Sequence, residues 1–225
     1  MTIPGTAPLT GRKPGSTRAG RLAGLRSRLA DAYDRARPRI PDGTPLREVL
    51  REDREVNYGW YAPGFHALAV HRLGAWSTSD AAPSWARTPA RAAYRAGYLF
   101  VRGVYGIEIP RTVTVGRRVE VGHQSGIVVH PHAVLGDECI LRQGVTLGGA
   151  TDNPVKLLKQ GPKIGSRVSL GAGCAVIGGV TIGEGASIGP NVTVMTSIPA
   201  GAMVLPAQPR IVRRAPSAAV AEASR

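Results

Sequence analysis

Five histidines and two cysteines stand among the side chains of this 225-residue sequence that could move protons, hold a metal or attack a carbonyl. His123 follows Gly122 in the run Val121-Gly-His-Gln-Ser-Gly126, a turn setting from which a side chain points outward. An imidazole, which ordinarily titrates near neutrality, can take a proton from one reacting group and return it to another. His66 and His71 fall within helical stretches and have no acidic or histidine partner at a ligand spacing, so they fit packing or surface roles. His130 and His132 flank Pro131 and, with His123, form a candidate ligand set. Cys139 and Cys174 make no CxxC and cannot build a disulfide framework or a thiolate zinc site.

The element that must carry His123 shows itself as a period of six. Every sixth residue from Ile109 gives Ile109, Val115, Val121 and Ile127. A two-residue shift restarts the series at Val129, Leu135, Leu141 and Leu147. It then resumes as Ile164, Leu170, Val176, Ile182, Ile188 and Val194. A second column of small or β-branched residues lies four places on, from Val113 and Val119 through Ser125, Ala133 and Cys139 to Cys174, Val180, Ala186, Val192 and Ile198. A six-residue period fits neither a 3.6-residue helix nor a simple strand; it predicts a parallel β-helix whose short strands stack coil on coil. Both cysteines fall in the small column and are expected to be buried packing residues rather than reactive thiols. Between Leu147 and Ile164 the step is far longer than the single hexad that would suffice, which predicts an extruded loop of about 11 residues.

Upstream the pattern is helical with proline breaks. Thr44-Pro45 ahead of Leu46–Val56 predicts a capped helix with proline in its first turn. Gly64–Trp76 places Phe65, Leu68, Ala69, Arg72, Leu73 and Trp76 on one stripe, and Pro89–Tyr105 reads as a third helix. Half of the +14 net charge lies in the first 40 residues, which begin with Pro, Gly, Ser and Thr. That arm reads as disordered and solvated, with one short amphipathic helix available from Arg21 to Arg37. The boundaries expected are therefore a basic arm (1–40), a small α-helical domain (41–106), a β-helix (107–205) and a tail (206–225). No apolar run approaches the roughly 20 residues that span a bilayer and no signal-peptide core follows Met1, so a soluble cytoplasmic protein is expected.

These residues resemble the hexapeptide-repeat acyltransferases and, within them, the serine acetyltransferases. The similarity is carried by Gly106-Ile-Glu-Ile-Pro110, Val121-Gly-His-Gln-Ser-Gly-Ile-Val-Val129, Leu141-Arg-Gln-Gly-Val-Thr-Leu-Gly-Gly149 and Gly161-Pro-Lys-Ile164. Pro63-Gly-Phe-His-Ala-Leu and His71-Arg-Leu-Gly-Ala-Trp76 add to it upstream. The resemblance implies a mainly β fold, a left-handed parallel β-helix preceded by a small helical domain. It also implies a homotrimer or dimer of trimers with active sites between subunits. The implied reaction is acetyl transfer from acetyl-CoA to the hydroxyl of L-serine or a related small acceptor, with no metal. His123 matches the general base of the family, and Glu108 matches its acidic partner, normally Asp. Glu108 precedes His123 by slightly less than one coil of three hexads, which predicts nearby corners of adjacent coils. Gly149, Ala172 and Pro190 match donor-groove positions, Lys163 and Arg210 are candidates for the donor phosphates, and Asp53 resembles the acidic contact to the substrate amine.

The departures bear on specificity. The family has Arg-His before its Pro-Lys-Ile, and these groups help hold the amino acid; here Gln160-Gly161 stand in that substrate-binding place. The chain ends Ala-Ser-Arg225 rather than in the isoleucine with which many members dock a sulfhydrylase, so no such complex is expected. Three other readings stay open on the sequence. One is a sugar or natural-product O-acetyltransferase on the same fold. Another is a metal hydratase similar to γ-class carbonic anhydrases, whose ligand spacing His123, His130 and His132 do not match. The last is a non-catalytic scaffold; no aromatic-interleaved basic motif supports nucleic-acid binding.

Overall fold

The computed structural model describes residues 44–151, 153–157 and 160–212. The arm, with its candidate helix at 21–37, and residues 213–225 lie outside them.

Three helices come first. Helix α1 (Leu46–Val56) starts with Pro45 at its N-cap, whose carbonyl accepts from the Glu48 and Val49 amides. The Thr44 side chain expected to cap the helix gives way to Pro45, and no side-chain cap bond forms. Helix α2 (Pro63–Trp76) opens on a proline, whose missing N–H costs nothing in the first turn. Helix α3 (Ser84–Phe100) begins ahead of the expected start at Pro89, with Pro83 as its N-cap. It runs into a π-helical turn at Val101–Tyr105 that Gly106 ends in the left-handed conformation (φ 65°).

From Ile107 every third strand stacks on its predecessor. One sheet runs β1 (Ile107–Glu108), β4 (Ile127–Val129), β7 (Thr146–Gly148), β10 (Ala175–Ile177), β13 (Thr193–Val194). A second runs β2 (Thr114–Val115), β5 (Val134–Leu135), β8 (Lys163–Ile164), β11 (Thr181–Ile182). The third runs β3 (Glu120–Gly122), β6 (Ile140–Arg142), β9 (Ser169–Leu170), β12 (Ser187–Ile188), β14 (Met203–Val204). All pairings are parallel, so each coil contributes one strand to each face of a three-sided prism, a left-handed parallel β-helix.

The register locates every irregularity. Val128 pairs with Thr146 and Lys163 with Thr181, each a step of three hexads, whereas the step from Ile107 to its partner Ile127 is longer by two. The two extra residues fall between β3 and β4, in the corner that holds His123. Val134 pairs with Lys163 across a much longer step, which places the large insertion after β7. That loop carries the one-turn helix α4 (Pro154–Leu157).

The inward columns form one core, in which Val113, Val119, Leu135, Cys139, Leu141, Val145, Leu147, Val168, Leu170, Cys174 and Val176 are buried. Each such aliphatic side chain contributes about 1.5–3 kcal/mol on burial. Ser125 departs from the expected column. It is exposed with φ 88°, and Ile127 is fully buried in that place, because the two extra residues shift the phase. Val180 and Ile198 are only half-buried against the core. Among the described residues no helix is long and apolar enough to cross a membrane.

The helices are bonded to the first coil by a polar seam. The Arg72 guanidinium donates to the carbonyls of Val115 and Gly116, each at 2.6 Å. Arg117 reaches back from the following corner to Glu48 and Glu52 on α1.

Candidate active site

His123 leaves β3 with φ 64° and an exposed side chain. Its corner, 123–126, holds three residues with positive φ: His123, Ser125 and Gly126. The equivalent corners above it hold one each, Gly144 and Gly173. A left-handed non-glycine residue is strained, and two in one corner mark a conformation that the surrounding structure imposes. The base of the corner is nevertheless fixed, since the Ser125 carbonyl accepts from the Gly144 amide at 2.9 Å. The result is an imidazole displayed at the edge between the third and first sheets.

Ala172 and Pro190 lie on this same edge, in successive coils above His123. The Ala172 carbonyl accepts from the Asn191 amide at 2.8 Å, and a Cβ on Gly171 would lie 2.7 Å from the Pro190 nitrogen. The coils are thus packed backbone to backbone at this edge. Glu108 sits in β1 beside Val128, one strand beyond the His123 corner rather than at a matching corner. Its carboxylate contact is with Arg102 of the π-helical turn, at 3.2 Å, and not with His123.

The other expected residues lie elsewhere. Gly149, Gln160 and Lys163 line the edge between the first and second sheets, around the extruded loop. Leu157 covers Gly149, where a Cβ would lie 2.2 Å from the leucine Cδ1. The Gln160 side chain accepts from the Ala150 amide at 3.0 Å and closes the base of the loop. Lys163 is exposed on β8, and Arg210 is exposed beyond β14. Within one chain, then, the structure brings together His123, Ala172 and Pro190 and separates them from Gly149, Gln160 and Lys163.

Asp53 requires a correction. Expected at a substrate amine, it is fully buried, and both its oxygens accept from Arg72, at 2.8 and 3.2 Å. Burial pushes its carboxyl above the ordinary value, against the opposing pull of the guanidinium. No face of the carboxylate is left for a ligand. Sequence reading missed Arg72 as its partner; the available sign was a charged residue on the apolar stripe of α2.

At the loop edge, the Gly161 backbone rests on the carbonyl of His132 one coil below: a Cβ there would lie 2.1 Å from that oxygen. The glycine in the place of the family histidine is therefore a packing requirement of this chain. His130 Nδ1 accepts from the His132 amide at 3.2 Å, and burial lowers the pKa of both imidazoles. Their ring centroids are 5.9 Å apart, and among the described residues no three His, Cys, Asp or Glu side chains gather as a metal-binding group. Cys139 and Cys174 are buried, and desolvation pushes both thiols up to about 11.

Comparison with known proteins agrees with this architecture. Residues 161–196 match the family described as bacterial transferase hexapeptide (six repeats). A serine acetyltransferase of Mycobacterium tuberculosis is 37% identical over 143 residues, 64% of this chain and 58% of that protein's length. One of Helicobacter pylori is 30% identical over 168 residues, 69% of this chain and 87% of its own. Among solved structures, a serine acetyltransferase from Brucella abortus superposes with a TM-score of 0.59 at 23% identity, covering 85% of this chain and 74% of that one. At that identity the superposition speaks for the fold, while the Helicobacter relative speaks for descent over nearly its whole length. By that descent, the chain belongs to the serine acetyltransferases, acyltransferases built on the hexapeptide-repeat β-helix.

Proposed function

We propose that the protein transfers the acetyl group of acetyl-CoA to the hydroxyl of L-serine or a closely related small acceptor, with His123 as the general base. The observation that carries this reading is the outward imidazole of His123 on a corner widened by two residues, on the same edge as Ala172 and Pro190, which lie two and three coils above it. A ring nitrogen takes the acceptor's hydroxyl proton as the oxygen attacks the thioester carbonyl. The tetrahedral adduct collapses, the carbon–sulfur bond breaks, and the imidazolium returns the proton to the thiolate, releasing CoA. Backbone N–H groups at the glycine-rich corners are suited to stabilise the transient oxyanion.

Glu108 is assigned to the His123 side of the site, where it acts on the imidazole electrostatically while Arg102 fixes its carboxylate. Two separate edges of one chain become one site if three copies ring together. The His123 edge of one copy then faces the edge of the next that carries Gly149, Gln160 and Lys163. This is the reason to propose a trimer, with Lys163 and Arg210 as the cations for the donor's phosphates and Gln160 in the acceptor pocket. The test is release of free CoA thiol from acetyl-CoA with L-serine and a panel of other hydroxy amino acids and sugars. Turnover with L-serine or a near relative supports the reading, and preference for a sugar would move the acceptor to another class.

A further inference from the structure

The first coil of a β-helix has an open edge: among the described residues β3 pairs with β6 on one side and has no strand on the other. The Val119 carbonyl and the Val121 amide point off that edge, and one side chain answers both. Asn57 Nδ2 donates to the Val119 carbonyl at 2.9 Å, and Asn57 Oδ1 accepts from the Val121 amide at 2.8 Å. A carboxamide offers the same donor and acceptor pair that a neighbouring peptide would, so Asn57 acts as a one-residue strand. It is itself held, 1% exposed, by a 2.7 Å bond from Nδ2 to the Asp53 carbonyl at the end of α1. Gly64 closes the other side, since a Cβ there would lie 2.2 Å from the Val121 carbonyl oxygen. The Tyr58 hydroxyl donates to the Glu120 carboxylate at 3.3 Å. Just beyond Val121 and Gly122 the chain turns into the exposed, left-handed His123.

We infer that Asn57 is a positioning residue for the transfer reaction: its carboxamide pins the Val119–Val121 edge and thereby fixes the point from which the His123 imidazole is presented. This rests on His123 being the base. A base held off its productive position loses rate steeply, while a donor bound along the coils above does not depend on it.

The test compares Asn57→Leu, close in size but without either hydrogen bond, with Asn57→Asp, which keeps the acceptor for the Val121 amide and loses the donor to Val119. In protein of native melting temperature and assembly, Asn57→Leu is expected to lower kcat roughly ten- to hundredfold, with KM for acetyl-CoA held within about twofold. Asn57→Asp sets a carboxylate oxygen against the Val119 and Asp53 carbonyls and should not recover the loss. A folded Asn57→Leu protein with kcat within about twofold of the parent overturns the inference, as does an equal rise in the KM for acetyl-CoA. If Asn57→Leu does not fold, hydrogen exchange in the unmodified protein decides. Slow exchange at the Val121 amide supports the bond to Asn57, and exchange as fast as at the exposed Gln124 corner overturns it. His123→Ala is run in parallel: full activity there removes the base and this inference together, whereas its collapse beside an unaffected Asn57→Leu removes the positioning role alone.

Discussion

Arg72 and Asp53 meet in the buried seam between α1 and α2 as a bidentate pair, Nε to Oδ2 at 2.8 Å and Nη2 to Oδ1 at 3.2 Å, with 1% and 0% exposure. The rest of the guanidinium is spent on the Val115 and Gly116 carbonyls, so the pair joins the helices to the first coil. A desolvated pair of this kind is costly to break, because the survivor is left as an uncompensated buried charge.

Arg72→Met is therefore expected to destabilise the protein by about 3–5 kcal/mol in chemical denaturation, and Arg72→Met combined with Asp53→Leu to regain a large part of it. Asp53→Asn should act in the same sense, lowering stability before it touches the acceptor's KM. A stable Asp53→Asn protein with a raised acceptor KM would restore Asp53 to the substrate site.

His71 supplies a pH signature. Its Nδ1 donates to the Pro110 carbonyl at 3.1 Å, and burial, aided by the neighbouring Arg72 charge, pushes its pKa from 6.5 down to about 3. The fold keeps the imidazole neutral where the unfolded chain would take up a proton. Its contribution is thus fully present above about pH 6.5 and is lost as the pH falls toward 3, with a slope of up to about 1.4 kcal/mol per pH unit. His130 and His132, also lowered by burial, act in the same direction. Melting curves between pH 6.5 and 5, above the carboxylate range, should fall less steeply for His71→Gln than for the parent; equal slopes would contradict the assignment.

Gly161 should resist any side chain. The clash is with a backbone oxygen, which cannot swing aside as the Leu157 tip over Gly149 can. Gly161→Ala is expected to cost about 1–3 kcal/mol of stability or to displace the loop. Placing Arg-His at 160–161 should lower turnover with L-serine rather than raise it. An increase would show that the loop has room for those groups.

What the sequence made legible was periodic. The hexad column depends only on which residues face inward, so the coil order and the inserted loop could be read from Ile109 to Val194 before any contact was known. Ser125 escapes that pattern because a two-residue shift shows where phase is lost but not which residue fills the gap, and packing gives that place to Ile127. The local pattern likewise marked His123 as an outward residue. Asp53, Gly161 and Asn57 were illegible for a different reason. Their partners Arg72, His132 and Val121 are distant along the chain, and only the fold brings them together. Lys163 and Gln160 enter the site only through the resemblance, which puts it between subunits, and the fold shows what the sequence does not, that they stand on a different edge from His123.

The most direct measurement is the steady-state rate of CoA release by His123→Ala and His123→Asn, with donor binding measured separately on the same proteins. With His123 as the base, kcat should fall roughly 10²–10⁴-fold while acetyl-CoA still binds and the protein still melts as the parent does. Full turnover in either variant would contradict the account at its centre.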